Sequence, residues 1–271
     1  TWQINSNCNI EGVVSKAPGG MNQLFGNYKW DCPHQTGGVS LGTAIPASIS
    51  GNLVITKTGA AADPAIYVAF PDQVDIGGSL LIIGGACTVK GTTSTVGLSG
   101  DFIMAGGSLR ANATSAANGI ININFKGNSR QSFSKSGGVI EKSNGTATKC
   151  EIRFSILENA IVDFGESVLN GDASFTVAAG ARLITRHAEG IAATGSTGSI
   201  QVTGTRTYSN DADYAYAGSL HQVTGLGLPG IVRRLIIDNA SGVQSGAGVT
   251  LSRATTINKE LVLSDGFLQT S

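Results

Sequence analysis

Proline and charge are both scarce in this chain. Its 271 residues include 6 prolines, and only 13% of them are Asp, Glu, Lys or Arg. Basic and acidic residues balance at 18 each, which removes the electrostatic footprint expected of a nonspecific nucleic-acid binder and gives no acidic tail. No stretch of about 20 apolar residues occurs, so no transmembrane segment is expected. No amphipathic pattern of helical period extends over ten or more residues. The four cysteines, Cys8, Cys32, Cys87 and Cys150, show neither a C-x-x-C pair nor a histidine at zinc spacing. The opening at Thr1-Trp2 leads us to expect a processed or excised piece of something longer, with repeats continuing beyond Ser271.

Glycine is abundant, at 38 residues, about twice the usual share of roughly 7%. Several of these glycines belong to a recurring phrase of an apolar residue, a spacer, a glycine, a spacer and alternating apolar residues. It reads Ile49-Ser50-Gly51-Asn52-Leu53-Val54-Ile55, then Ile76-Gly77-Gly78-Ser79-Leu80-Leu81-Ile82, then Leu98-Ser99-Gly100-Asp101-Phe102-Ile103-Met104. The phrase glycines at 51, 78 and 100 lie 27 and 22 residues apart. Such a period marks stacked units, none of which buries its apolar face alone. Near the C-terminus Ile257-Asn258-Lys259-Glu260-Leu261 reads as the same phrase with lysine in the glycine slot. Between the phrases, apolar residues alternate with small or polar ones, as in Ile121-Ile123-Phe125 and Ile152-Phe154-Ile156, the period of a strand.

An all-β parallel β-helix follows as the expected fold, with on the order of ten irregular coils at about 25 residues each. A pair of β-sandwich domains is the alternative, because strands every 8 to 12 residues fit that as well. Residues 1–35 read as an aromatic cap, in which Tyr28 and Trp30 alternate with Cys32, and residues 36–271 as the solenoid. Cys87 and Cys150 sit in strand-like alternation as small core hydrophobes. A disulfide is open to Cys8 and Cys32 in an oxidising compartment.

Several longer stretches follow one another in a recognisable order. They are Asp101-Phe102-Ile103-Met104-Ala105-Gly106-Gly107-Ser108-Leu109, Asn124-Phe125-Lys126-Gly127 with Gln131-Ser132-Phe133, and Ser174-Phe175-Thr176-Val177-Ala178-Ala179-Gly180-Ala181-Arg182-Leu183. His187-Ala188-Glu189-Gly190-Ile191, Gln222-Val223-Thr224-Gly225-Leu226-Gly227-Leu228-Pro229 and Leu235-Ile236-Ile237-Asp238-Asn239-Ala240-Ser241-Gly242-Val243 complete the series. Together they cover the chain from about residue 26 onward and resemble repeat regions of very large secreted surface proteins of Bacteroidetes. Proteins of that kind are typically exported by the type IX secretion system and carry a C-terminal sorting domain. The resemblance implies an extracellular or cell-surface, adhesin-like β-solenoid, and it carries no catalytic residues with it.

The function expected is therefore a non-catalytic stalk or adhesive rod, whose partners are surface polysaccharides or other surface proteins. One alternative is a glycan-binding module, for which Tyr208, Tyr214 and Tyr216 are the candidate sugar platforms. Another is a polysaccharide lyase or hydrolase, since β-helices host such enzymes. Its candidate carboxylates are Asp163, Glu166 and Asp172, near Arg153 and Arg182. No cofactor is expected, although Asn210-Asp211-Ala212-Asp213 is a dense oxygen cluster in which Asp211 and Asp213 are candidate calcium ligands. His34, His187 and His221 are widely separated, and no G-x-S-x-G elbow surrounds a serine. Asn112, Asn144 and Asn239 match the N-glycosylation pattern, as chance allows in this composition.

Overall fold

Residues 6–20, 23–39, 45–59, 66–88, 93–112, 119–143, 150–242 and 246–270 are described by the computed structural model. They form strands and turns with no helix, so no helix is long and apolar enough to cross a membrane. The chain divides into two units, the first made of residues 1–124 with 135–154 and the second of residues 125–134 with 155–271.

Alternation in the first unit resolves into ladders. Strands Cys8–Glu11, Tyr28–Cys32, Leu53–Thr58, Leu80–Ile82 and Phe102–Met104 lie side by side in one sheet, each from a successive coil. Their pairings are parallel and in register: Tyr28, Leu53, Leu80 and Phe102 form one inward row, and Trp30, Ile55, Ile82 and Met104 a second. All eight side chains are fully buried apart from solvent, each worth roughly 1.5–3 kcal/mol for the larger aliphatics and aromatics. A second sheet stacks Val68–Ala69, Ala86–Thr88, Ser108–Asn112 and Val139–Ser143, with Val68, Cys87, Leu109 and Ile140 inward. A third sheet carries Ser48–Ile49, Gln73–Ile76, Thr93–Leu98 and Ile120–Phe125, in which Ile76 faces Leu98. Three parallel sheets visited in turn by each coil make a parallel β-helix. A sandwich would need antiparallel neighbours, and every strand pairing described is parallel.

The glycine phrase is a corner. Gly78 donates to the Gly51 carbonyl and Gly100 to that of Gly78, both at 2.8 Å, so the same turn stacks on itself coil after coil. A Cβ on Gly100 would come within 2.5 Å of the Gly78 carbonyl carbon, which is why glycine recurs there. Close approach, not positive φ, sets this requirement. Lys259 does not occupy the slot: it lies inside the strand Thr256–Asp265, at a register shift against Val232 and Arg234. Tyr28 and Trp30 sit in the ladders themselves, on the strand next to the edge of the sheet.

The second unit repeats the scheme with different contents. Its main sheet runs Arg130–Lys135, Ile161–Asp163, Arg182–Thr185, Asp213–Tyr216, Ile231–Asp238 and Thr256–Asp265. The inward row is Gln131, Val162, Leu183, Tyr214 and Leu235. Beside it, Ser174–Val177 pairs with Arg206–Tyr208, and Leu169–Gly171 with Ile200–Val202. After Tyr208 no further strand joins the sheet of Ser174–Val177 among the described residues, and the main-sheet strands lengthen from 4 residues at Asp213–Tyr216 to 8 and then 10. Rings step through the core from Phe133 to Phe164 (4.6 Å between centroids), Phe175 (5.7 Å), Tyr208 (6.1 Å) and Tyr214 (6.5 Å).

Candidate functional site

Alternation places Tyr214 and Tyr216 on the inward side of their strand, and the structure buries both to 1% exposure. Each phenol is spent on the backbone: Tyr214 donates to the Ser209 carbonyl and Tyr216 to that of Thr224, both at 2.8 Å. Tyr208 is half-buried and donates to the Ala192 carbonyl at 3.1 Å. Desolvation raises all three phenols well above their ordinary value. These tyrosines are core and loop anchors, and no open ring face remains at 214 or 216 to carry a sugar.

The aspartate pair is divided in the same way. Asp213 is buried to 1%, and its two oxygens face two guanidinium groups, Arg233 Nε at 2.7 Å and Arg182 Nη2 at 3.3 Å. Its hydrogen bond lifts the Arg233 pKa further. Asp211 is exposed on the preceding turn, whereas the oxygens of Asp213 are already taken by arginines. Cys8 and Cys32 are both free. Cys8 faces Tyr28, and Cys32 stands at the far end of that same strand opposite Thr58, roughly 13 Å farther along at the strand rise, so a disulfide is out of reach. Cys87 and Cys150 are buried core residues.

The three candidate carboxylates are distributed. Asp163 is ion-paired with Arg130 and with Arg186 (3.3 Å) and accepts the Gly165 N–H at 2.8 Å. Asp172 accepts from the Thr203 hydroxyl at 2.8 Å, and Arg153 pairs with Glu151. Glu166 stands at an open groove, of about 330 Å³, lined by Glu166, Arg186, His187, Ala188, Ser219 and Leu220. Leu220 is 72% exposed there. The His187 ring accepts the Glu189 N–H at Nδ1 (3.2 Å), which places the ring proton of neutral His187 on Nε2. His34 sits in the turn after Pro33, and His221 bonds Thr250 Oγ1 at 3.0 Å.

Two fully buried amides, invisible as a pair in the sequence, hold the groove. Gln222 accepts the Gly218 N–H at 2.7 Å and donates to the carbonyls of Thr185 (3.3 Å) and His187 (3.1 Å). Asn239 donates to the Leu220 carbonyl and to Gln222 Oε1, each at 2.8 Å. Together they fix the turns that bear Arg186–Ala188 and Ser219–Leu220. With its amide so occupied and fully buried, Asn239 cannot accept a glycan. Asn144 lies outside the described residues.

Two further grooves flank the segment 192–197, of about 340 and 370 Å³. The first holds one charged side chain, Glu189, and the second only Arg206. Arg206 is already committed to the carbonyls of Ala192 (3.2 Å), Val202 (2.9 Å) and Gly195. Comparison with known proteins gives no match, neither a family model, nor a curated protein, nor a solved structure.

Proposed function

We propose that this chain is a non-catalytic, extracellular β-solenoid segment of a large bacterial surface protein, serving as a stalk or adhesive rod. The observation that supports this most is where its polar groups are spent. At one corner of the first unit, Asn27 Oδ1 accepts the Asn52 N–H at 2.8 Å, Asn52 Oδ1 the Ser79 N–H at 2.7 Å, and Ser79 Oγ the Asp101 N–H at 3.0 Å. Each coil thus supplies an acceptor to the next, an arrangement that serves coil-to-coil cohesion rather than a reaction. Two of the three acidic residues weighed for a lyase or hydrolase are likewise engaged, Asp163 by two arginines and Asp172 by Thr203.

Immunolabelling of intact source cells tests this reading. Surface signal removed by external protease is the expected result, and signal seen only after lysis contradicts it. Incubation with acidic polysaccharides should release no new reducing ends or unsaturated products. Turnover that disappears on Asp163→Ala would establish an enzyme instead.

A further inference from the structure

We propose that the groove walled by Glu166, Arg186, His187, Ser219 and Leu220 binds an acidic sugar, a uronate unit of a polysaccharide. This goes beyond the stalk reading and does not depend on it.

Three observations converge on this groove. Its polar groups are unspent: the Glu166 carboxylate, His187 Nε2 and the Ser219 hydroxyl have no partner among the described residues, and Arg186 gives only one guanidinium nitrogen, Nη2, to Asp163. Arg186 is 45% exposed in its side chain, whereas the arginine of the 370 Å³ groove is consumed by three carbonyls. The walls are also preorganised, because Gln222 and Asn239, both buried to 0%, fix the backbone of residues 187, 218 and 220. Ligand binding therefore orders little of the protein, which keeps the entropy cost low.

The mix of groups selects the ligand. Arg186 donates in the planar fork that matches a carboxylate. Glu166 can only accept when ionised, so a ligand that fills the same groove must also bring donors. A sugar acid has both, with its carboxylate toward Arg186, hydroxyls toward Glu166 and Ser219, and the apolar face of its ring against Leu220. An acidic peptide would set its carboxylates beside Glu166 without hydroxyl donors to offset the repulsion. About 330 Å³ lies at the small end of the roughly 300–1,000 Å³ of ligand sites, which suits one or two rings.

Titration of the isotope-labelled full chain with trigalacturonate, followed by amide chemical shifts, tests the proposal. Saturable shifts centred on residues 166, 186–188 and 219–220 are expected, with maltotriose binding at least about tenfold more weakly for lack of the carboxylate. Arg186→Gln should weaken trigalacturonate binding by about tenfold or more, Leu220→Ala by a few-fold, and the exposed Arg253→Gln not at all. Leu220→Ala leaves every ion pair intact, so it still reports if Arg186→Gln does not fold. Absence of saturable binding, shifts centred elsewhere, unchanged affinity in both groove variants, or equal binding of a tri-aspartate peptide would each overturn the assignment.

Discussion

At the glycine corner of the first unit the groups that join coil to coil are neutral: glycine carbonyls, two asparagines and a serine, stacked at offsets of 25, 27 and 22 residues. In the second unit the outward side of the main sheet carries Arg182, Asp213 and Arg234 in register, and Arg130, Asp163, Arg186 and Arg233 around them. Coil offsets there swing from 31 residues between Arg182 and Asp213 to 21 between Asp213 and Arg234. A tight turn that repeats can be closed by backbone atoms alone, but only glycine lets successive turns approach so closely. Where coil length varies and excursions such as residues 186–199 leave the repeat, a long guanidinium can still reach a neighbouring coil's carboxylate or carbonyl. The same variation opens the groove at Arg186. Regular repetition yields a scaffold, and departure from it yields chemistry.

Asp213→Ala should produce the largest effect and confine it to the second unit. Removing a carboxylate that serves two guanidinium groups costs about 3–5 kcal/mol when all partners are buried. Arg182 and Arg233 are 29% and 31% exposed and can turn to water, so about 2–3 kcal/mol is expected from denaturant unfolding. A loss below about 0.5 kcal/mol would mean that the charged face contributes nothing.

Gly100→Ala probes the opposite device. Its Cβ meets the Gly78 backbone, which cannot swing aside as a side chain can, so about 1–3 kcal/mol should be lost from the first unit. Gly165→Ala is its counterpart in the second unit, where a Cβ meets nothing within 4 Å and only the positive φ of 54° resists, for about 1 kcal/mol. Equal losses would erase the distinction between crowded and open corners.

Alkaline pH separates the units by smaller steps. Burial pushes the Cys87 thiol of the first unit up, and burial pushes Tyr208, Tyr214 and Tyr216 of the second up. A raised folded value means that the contribution is fully present below the unfolded value and is lost as pH climbs toward the folded one. Unfolded thiols ionise near about 8.5 and phenols near about 10, so the first unit should weaken from about pH 8.5, by about 1.4 kcal/mol per pH unit for Cys87. The second unit has no tryptophan and Trp30 is fully buried in the first, so the Trp30 fluorescence follows the first unit, while mapped pulse proteolysis follows the second. Simultaneous decline of both from pH 8.5 would show that thiol burial does not set the order.

Much of the fold was legible in the sequence because period and alternation are local. The glycines at 51, 78 and 100 do stack, and Leu53, Leu80 and Phe102 do line one row. The corner's reason was only half legible: a glycine read from sequence cannot distinguish positive φ from a close neighbour, and Lys259 imitated the phrase from within a strand. The site was less legible still. Tyr214 and Tyr216 resembled a platform because the small Ala212 and Ala215 beside them hide which side of the strand faces in, and all four residues of that strand are buried. Gln222 and Asn239 gave no signal, since their partnership spans 17 residues and depends on how two turns meet. One wall of the groove comes from Ser219 and Leu220, after the strand Asp213–Tyr216.

Stacked parallel coils in fixed register are tested most directly by engineered cross-links, one pair in each unit. Val54 faces Leu81, and Thr176 faces Thr207, on adjacent parallel strands. Neighbouring strands lie about 4.8 Å apart, inside the roughly 4.4–6.8 Å Cα range of a disulfide. Val54→Cys with Leu81→Cys, and Thr176→Cys with Thr207→Cys, should oxidise readily, as read by mass spectrometry of digested protein. Val54→Cys with Ile83→Cys, about 8 Å apart through a two-residue offset, should not. Cross-linking of the offset pair in preference to Val54 with Leu81, or of neither registered pair, would contradict the parallel coil arrangement on which everything above depends.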